Sequence, residues 1–269
     1  MILTTKNILT NLKKSPPLMW IRKKKYEHKF THNRDLNLFK GIYSNYEEAQ
    51  SVASQYTSTG YDNKSSAQMY KNMCNKIFPE DYPTLYWINR LNDEVKVLLD
   101  YGGHVGIKRY AFDKYLPRIN NTEWKVYDLP KVKEEAVILH KEIDPKGEIN
   151  INFQDSIKKE KIDLFLALGS FQYIPKEVDE VLAELGERPK YLLIRVPLTL
   201  QKTFVTLNHI GTTVCPYIIR NEQDFLNNIE GLDYELIDKW VSPNKVAEIP
   251  FHHEYSVYGY TGHLFKRKD

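Results

Sequence analysis

Apolar and polar positions follow two alternating patterns from residue 93 to residue 269. Short runs rich in β-branched and aromatic residues predict strands; they are VKVLLD, EWKVYD, EINI, IDLFLAL and KYLLIRV. Several intervening stretches show helical spacing of apolar residues, as at Val132, Ala136, Leu139 and Ile143. Strands that alternate with helices predict an α/β fold, in which a parallel sheet is covered by helices on both faces.

The pattern over residues 35–92 differs and predicts a small helical cap. Ser44 and Glu47 have the spacing of a capping box ahead of apolar residues at helical intervals. A second helix is expected around Ala67 to Ile77, after a turn-like stretch. We therefore expect a cap over residues 35–92 that precedes a larger domain over residues 93–269.

Charge is distributed unevenly along the chain. Residues 1–34 contain nine Lys or Arg and only Glu27 as an acid, which gives +8, so residues 35–269 have a net charge of −5. The basic tail also contains apolar residues and would suit an anionic membrane surface or nucleic acid. We favour a loosely ordered, solvated arm, because Pro16 and Pro17 interrupt a continuous amphipathic helix.

Composition restricts the class of protein. With 269 residues, 42% of them apolar, the chain is long enough for a full core. It contains no run of about 18 uncharged apolar residues and no secretory signal pattern, so we expect a cytoplasmic protein, with peripheral contact at the inner face of the membrane as the alternative. Cys74 and Cys215 lack metal-site spacing, and we interpret them as reduced structural thiols.

The first strand leads into a glycine-rich turn, which is the candidate ligand site. In VLLDYGGHVG, Gly102 and Gly103 allow close approach of a ligand to the backbone, and Gly106 lets the following helix lie near the sheet. Asp100 would repel a diphosphate at this position. A carboxylate there favours a ligand with an ammonium group or hydroxyls.

The chain lacks the central motifs of two other enzyme classes and places that of a third unsuitably. Tyr110 and Lys114 have the spacing of a short-chain dehydrogenase pair but lie in the first helix, too close to the glycine turn to reach a nicotinamide. The chain has neither a G-x-x-x-x-G-K-[ST] phosphate loop nor a G-x-S-x-G nucleophile elbow. Dehydrogenase, NTPase and serine hydrolase activities are therefore disfavoured.

The glycine turn resembles the first motif of class I S-adenosylmethionine-dependent methyltransferases. Together, FKGIYSNYEEA, GYD, VLLDYGGHVGIKRYAF, WKVYDLP, LALGSFQYI and PFHHEY are similar to a family of bacterial methyltransferases often encoded among surface-polysaccharide genes. The first resemblance covers residues 93–269, and the second covers most of the chain. They imply a Rossmann-like fold with an N-terminal helical cap, S-adenosylmethionine as cofactor and methyl transfer as the activity.

The resemblance implies a set of cofactor-binding residues. Asp100, Gly102, Gly103, His104 and Gly106 would surround the methionine part. Asp128 lies 28 residues after Asp100, where nucleoside-binding folds place an acid for the ribose hydroxyls; the alternative is a solvent-exposed acid. The remaining candidates are Phe153, Gln154 and Asp155, which would flank adenine, and Gly169 and Ser170, which would lie at the amino-acid end. For Asp155 a helix cap is the alternative.

Candidates for binding the methyl acceptor come from the fourth and fifth strands and from the cap. The segment after the fourth strand lacks the Asp or Asn, two prolines and aromatic typical of enzymes that methylate base amines or glutamine amides, so an oxygen acceptor is favoured. For each candidate an ordinary structural role is the alternative: core packing, an ion pair or a turn between helices. The candidates are Tyr61, Asp62, Phe171, Gln172, Tyr173 and Arg195.

A general base would help to remove the proton from a hydroxyl acceptor. His209, His252 and His253 follow the fifth strand, and each is also compatible with a structural or surface position. The predicted activity is O-methylation of a sugar or a sugar-linked group in polysaccharide biosynthesis, on a small-molecule or glycan acceptor. A noncatalytic S-adenosylmethionine-binding or scaffold protein that docks a membrane or a partner complex is the alternative, whereas the body charge of −5 disfavours nucleic acid.

Overall fold

The computed structural model describes residues 16–32, 36–56 and 60–268. The strands are β1 Leu38–Tyr43, β2 Val97–Tyr101, β3 Glu123–Tyr127, β4 Ile151–Gln154, β5 Leu164–Leu168, β6 Tyr191–Val196, β7 Leu198–Thr199, β8 Phe204–Ile210, β9 Thr213–Asn221, β10 Tyr234–Ala247 and β11 Val257–Arg267. The α-helices are α1 Pro16–His32, α2 Tyr46–Ala53, α3 Lys64–Gln68, α4 Tyr82–Arg90, α5 Ile107–Phe112, α6 Pro130–Ile143, α7 Val178–Leu182 and α8 Glu222–Glu230.

A seven-stranded sheet forms the centre of the molecule, in the order β10-β11-β6-β5-β2-β3-β4. The five strands from β6 to β4 are parallel, and β11 runs antiparallel to both of its neighbours. The chain adds β3 and β4 on one side of β2 and then β5 and β6 on the other, so the order reverses between β2 and β5. The expected Rossmann-like α/β fold is confirmed, and this switch point is where such sheets bind ligands.

Apolar side chains cover both faces of this sheet. Leu98 and its neighbours pack with Leu85 of α4 and Phe112 of α5 on one face. Leu99, one position later, packs with Val181 of α7 and Phe225 of α8 on the other. Because successive residues of a strand point to opposite faces, apolar residues are needed at every position of a doubly covered strand. That requirement explains the uninterrupted apolar runs of the sequence.

The region expected to be a helical cap also contributes a strand. β1 pairs antiparallel with β8, Leu38 facing His209, and joins β9 and β7 in a four-stranded sheet. Local periodicity does not reveal such a strand, because its partner is about 170 residues away. The cap is therefore built from the N-terminal region together with the β8–β9 hairpin, which follows β6 and β7.

The cap helices differ in detail from their expected positions. The N-cap of α2 is Asn45, whose Oδ1 accepts the amide hydrogen of Glu48 at 2.8 Å, one residue later than the predicted box. The second cap helix is shorter than expected, since α3 is followed by a separate 3₁₀ turn at Lys71–Met73. In the main sheet, β4 begins at Ile151, whereas the run EINI predicted a strand from Glu148.

The basic tail is helical from Pro16 onward, so the interpretation as a loosely ordered arm is wrong for this part. The prolines lie in the first turn of α1, where a missing amide hydrogen costs no helical bond. Phe30 is buried against the cap, and the Tyr26 hydroxyl donates to the Phe39 carbonyl at 2.6 Å. Trp20 remains 62% exposed. Contact of this helix with a membrane surface stays a prediction.

Within the described residues, no helix is both long and apolar enough to cross a membrane. The same part of the chain contains no group of three or more His, Cys, Asp or Glu side chains placed to hold a metal ion. Cys74 and Cys215 are free thiols, and burial raises the pKa of Cys74 to about 11 and that of Cys215 to about 12.

Candidate functional site at the glycine turn

The glycine turn between β2 and α5 lies at the switch point of the sheet. Gly102 has φ +74°, and a Cβ there would lie 2.3 Å from the Cβ of Ser170. A Cβ on Gly103 would lie 2.4 Å from Cγ of Asp100, and one on Gly106 would lie 2.6 Å from Cδ1 of Ile151. Since real Cβ atoms do not come this close, packing favours glycine at positions 102 and 103, whereas the clash at Gly106 involves the flexible end of Ile151 and its φ of +82° favours glycine instead.

Asp100 is a buried carboxylate directly before this turn. Its exposure is 2%, and the indole of Trp124 donates a long hydrogen bond of 3.4 Å to Oδ2. Burial raises the pKa of Asp100 to about 7. A carboxylate with so little compensation for desolvation is stabilised by a cationic ligand, whose charge favours the ionised form.

Asp128 follows β3 and is tied to the same turn. Its Oδ2 accepts the backbone amide of His104 at 2.8 Å, and its Oδ1 accepts that of Leu129 at 2.8 Å. Burial raises the pKa of Asp128 to about 6 in spite of these bonds. Each oxygen has a second acceptor position, so the carboxylate is still able to bind two vicinal hydroxyls. The two acids thus stand on either side of the glycine turn.

Asp100 and Asp128 are expected to contribute a loss of stability to the ligand-free protein as the pH rises from about 4 to about 7, against the opposite contribution of His104 and His263, whose pKa burial lowers to about 4. The pKa values of Asp100 and Asp128 are raised to about 7 and about 6 from 3.8, so in this window the folded state retains protons that the unfolded chain has released. Their contribution to the free energy of unfolding then falls with pH and levels off above about pH 7. Urea unfolding of the wild type and of Asp100→Asn at pH 5 and pH 8 measures the slope. An unchanged slope in Asp100→Asn would contradict the raised pKa of Asp100.

The predicted adenine side lies at the end of β4. The ring of Phe153 is partly buried beside the turn, 3.5 Å from the position a Gly106 Cβ would occupy, and Gln154 ends the strand next to it. The side chain of Asp155 is 90% exposed and forms an ion pair with Lys133 at 2.5 Å. This contact gives Asp155 a partner other than adenine, and no helix begins at Asp155 that it could cap.

The end of β5 supports the turn from the other side of the switch point. The Ser170 hydroxyl donates to the Tyr101 carbonyl at 2.6 Å, and Gly169 has φ +94°. The Gln172 amide donates through Nε2 to the Gly169 carbonyl at 2.5 Å, which leaves its buried Oε1 without a hydrogen-bond partner among the described residues. Phe171 is 0% exposed and belongs to the core, so it does not line a path to the acceptor.

Cap residues contact this edge of the sheet. The ring of Tyr61 stacks on that of Tyr173 with centroids 6.5 Å apart, and the Tyr173 hydroxyl donates to Asn208 Oδ1 at 2.8 Å. Oδ1 of Asp62 accepts the backbone amide of Lys131 at 2.8 Å, at the start of α6. The cap therefore covers the glycine turn through Tyr61 and is fixed to the main domain through Asp62.

The three candidate bases are placed in the cap sheet and in the loop before β11. His209 lies in β8, where it is buried and its Nδ1 is bonded to the Phe30 carbonyl. His253 is exposed, with Nδ1 4.0 Å from Glu248, and His252 precedes it at the start of a 3₁₀ turn. These contacts favour structural or surface roles, and none of the three bonds to a residue of the glycine turn.

Arg195 also has hydrogen-bond and ion-pair partners within the fold. Its guanidinium donates to the Glu80 carbonyl at 2.9 Å and lies 3.7 Å from Oδ1 of Asp81. Asp81 in turn accepts the ammonium of Lys108 at 2.7 Å. This buried ion-pair network is the structural alternative that the sequence left open, and it disfavours Arg195 as a ligand for an acceptor phosphate.

Two cap residues that contact the turn, Ser66 and Tyr70, have no signal in the sequence. The Ser66 carbonyl lies 3.2 Å from Nε2 of His104, and the Tyr70 ring lies edge-on to the His104 ring at 5.1 Å. Neither forms part of a motif. The sequence signal at this place is His104 itself, a large residue within a glycine-rich turn. In the structure its φ is +57°, a value that ordinarily favours glycine.

Solved methyltransferase structures are similar to this chain at low identity. One is the 1,6-didemethyltoxoflavin-N1-methyltransferase of Burkholderia thailandensis with S-adenosylhomocysteine bound, at 13% identity and TM-score 0.49, covering 85% of this chain and 92% of that one. Another is the magnesium protoporphyrin IX methyltransferase of Synechocystis, at 10% identity and TM-score 0.49, covering 77% and 96%. A third is an S-adenosylmethionine-dependent methyltransferase of Clostridium acetobutylicum, at 12% identity and TM-score 0.47, covering 76% and 98%.

No protein-family model matches the chain, and no curated protein matches it in sequence. The function is therefore inferred from the strand order and from the contacts of the glycine turn.

Proposed function

We propose that this protein is a class I S-adenosylmethionine-dependent methyltransferase. The observation that supports it is a pair of acids, the buried Asp100 and the half-buried Asp128, which stand beside one glycine turn at the switch point of the sheet. Asp100 disfavours a diphosphate and favours an ammonium group, while Asp128 is free to accept two hydroxyls. S-adenosylmethionine offers an ammonium group at one end and ribose hydroxyls in the middle.

The chain's own contribution is to bind and align. Asp100 would balance the ammonium charge, Asp128 would hold the ribose, and Phe153 would cover one face of adenine. The bound cofactor supplies an electrophilic methyl group on sulfur, so correct alignment of the acceptor provides most of the rate, and effective molarity accounts for about 7 to 11 kcal/mol of the barrier in well-oriented reactions. Tyr61 of the cap, stacked on Tyr173 after β5, would exclude water from this space.

The methyl acceptor in this proposal is a hydroxyl, with a sugar or sugar-linked group as its class. Gln172 is compatible with a hydroxyl acceptor, because its Oε1 accepts hydrogen bonds and has no partner among the described residues, and the preference for oxygen over an amine comes from the sequence after the fourth strand. The sugar class and a role in surface-polysaccharide biosynthesis rest on the sequence resemblance, in which LALGSFQYI and PFHHEY take part. None of the three candidate histidines gains support as the base from its contacts.

The test is titration of the purified protein with S-adenosylmethionine, S-adenosylhomocysteine and NAD⁺. We expect micromolar binding of the first two, about −8 kcal/mol, and none of NAD⁺, because its diphosphate would meet the Asp100 carboxylate. Binding of NAD⁺ alone, or of none of the three, would overturn the proposal. Release of S-adenosylhomocysteine in the presence of sugar nucleotides then separates an enzyme from a noncatalytic S-adenosylmethionine-binding or scaffold protein, which would bind without turnover.

A further inference from the structure

His104 joins the glycine turn to the cap through its side chain. Its Nε2 lies 3.2 Å from the carbonyl oxygen of Ser66 in α3. A carbonyl oxygen only accepts hydrogen bonds, so Nε2 must be the nitrogen that bears the hydrogen. The contact with the cap therefore fixes the tautomer of the ring.

The other ring nitrogen is then a hydrogen-bond acceptor that lacks a donor. The His104 side chain is 7% exposed, and Nδ1 has no hydrogen-bond partner among the described residues. Burial lowers the pKa of His104 to about 4, so the ring stays neutral and the lone pair on Nδ1 stays available at physiological pH. A buried acceptor without a donor is costly, which makes this atom a candidate ligand contact.

The position of Nδ1 follows from the covalent structure of imidazole. Nδ1 is bonded to Cγ and lies near the backbone, whereas Nε2 is at the far end of the ring, where it meets the cap. Nδ1 is therefore on the side of the glycine turn, whose own backbone is held to Asp128 through the His104 amide at 2.8 Å. The left-handed φ of +57° holds the side chain in this orientation at some cost in strain.

Building on the proposed function, we propose that Nδ1 of His104 accepts a hydrogen bond from the α-ammonium group of S-adenosylmethionine. The groups at the methionine end of the cofactor are a sulfonium, a carboxylate and an ammonium, and only the ammonium donates hydrogen bonds. It has three hydrogens, so it is able to bond to His104 and to Asp100 at once. His104 would thus select a ligand that has an intact amino-acid end.

Two substitutions test the contributions of the two ring nitrogens of His104 independently. His104→Gln places an amide donor near the position of Nε2, which retains the contact with Ser66 but removes the acceptor at Nδ1. His104→Asn places a carbonyl oxygen near the position of Nδ1, tolerates the left-handed backbone and gives up the contact with Ser66. The two variants are matched in polarity, so differences between them report on the position of the acceptor atom.

The ligands form the second half of the experiment. S-adenosylhomocysteine contains the ammonium group, and 5′-methylthioadenosine has the same adenosine and sulfur but no amino-acid end. We expect His104→Gln to weaken S-adenosylhomocysteine binding about 10- to 100-fold, the range for a bond to a charged group, and to leave 5′-methylthioadenosine unchanged. His104→Asn should retain most of the affinity for S-adenosylhomocysteine. Calorimetry measures both without any need for turnover.

The outcomes distinguish this proposal from the proposed function. If His104→Gln weakens both ligands equally, or neither, Nδ1 does not contact the ammonium and this inference fails while the cofactor assignment stands. A second outcome also contradicts the inference. If His104→Asn loses as much affinity for S-adenosylhomocysteine as His104→Gln does, while both bind 5′-methylthioadenosine normally, the acceptor at the position of Nδ1 is not what the ligand requires. If the wild type binds neither ligand, the proposed function fails first.

Discussion

Replacement of Asp100 by alanine is expected to weaken binding of S-adenosylmethionine and S-adenosylhomocysteine at least about 30-fold. The carboxylate is 2% exposed, so its charge acts on a bound ammonium with little screening by water. Removing one partner of a buried charge pair costs about 2 to 5 kcal/mol. Isothermal titration of the variant beside the wild type measures the loss.

Asp100→Asn is the control for this experiment, because it keeps the volume of the side chain and removes its charge. It should bind about as weakly as Asp100→Ala and, in the absence of ligand, should be at least as stable as the wild type at pH 8, where the buried charge of Asp100 opposes folding. Binding of either variant within about threefold of the wild type would show that Asp100 is not the ammonium partner, and the glycine turn would then need another explanation.

Gly102→Ala is expected to abolish cofactor binding and to destabilise the fold by about 2 to 4 kcal/mol. Two costs combine: a left-handed backbone, at about 1 kcal/mol, and a forced shift of packed neighbours, at about 1 to 3 kcal/mol. The shift arises because the new Cβ would lie 2.3 Å from Cβ of Ser170, which is itself bonded to the Tyr101 carbonyl. Displacing Ser170 would move the two strand ends that form the site.

Gly147→Ala is the matched control for the backbone cost. Gly147 has φ +70°, close to the +74° of Gly102, but a Cβ there would meet no atom within 4 Å. It should therefore lose only about 1 kcal/mol of unfolding free energy and bind the cofactor normally. Urea unfolding and calorimetry on both variants are the measurements. Equal destabilisation by the two substitutions would refute the close packing of Gly102 against Ser170.

The main sheet was predictable because its signal is local. β2, β5 and β6 coincide with mostly apolar runs of the sequence, since strands buried on both faces leave few polar positions within the run, and β3 coincides with the alternating run EWKVY. β1 was missed for the opposite reason. Its six residues pair with β8, and neither the pairing nor the resulting cap sheet leaves a periodic trace near residue 38.

The candidate site also contains residues that the sequence could place and residues that it could not. Asp100, the glycines and Asp128 could be placed together from the sequence because they lie at strand ends, and strand ends meet at one edge of a parallel sheet; their role in binding stays a prediction. The roles of Phe171, Arg195 and His209 depend on which side of a turn or sheet each residue faces, and their burial or partners became visible only in three dimensions. The contact of Ser66 with His104 joins two segments that no motif connects.

The pairing of β1 with β8 has a consequence for the order of folding. Closing a loop of about 170 residues is entropically unfavourable, and contacts this distant in sequence form late unless the intervening chain is already compact. The five parallel strands all lie between β1 and β8 in the chain, so they are able to assemble first. During synthesis the cap sheet cannot close until Ile210 has left the ribosome. Until then the part of the cap that β8 contributes, including Asn208 that accepts the Tyr173 hydroxyl, is missing beside the end of β5, and only residues 60–70 of the cap are available to cover the glycine turn.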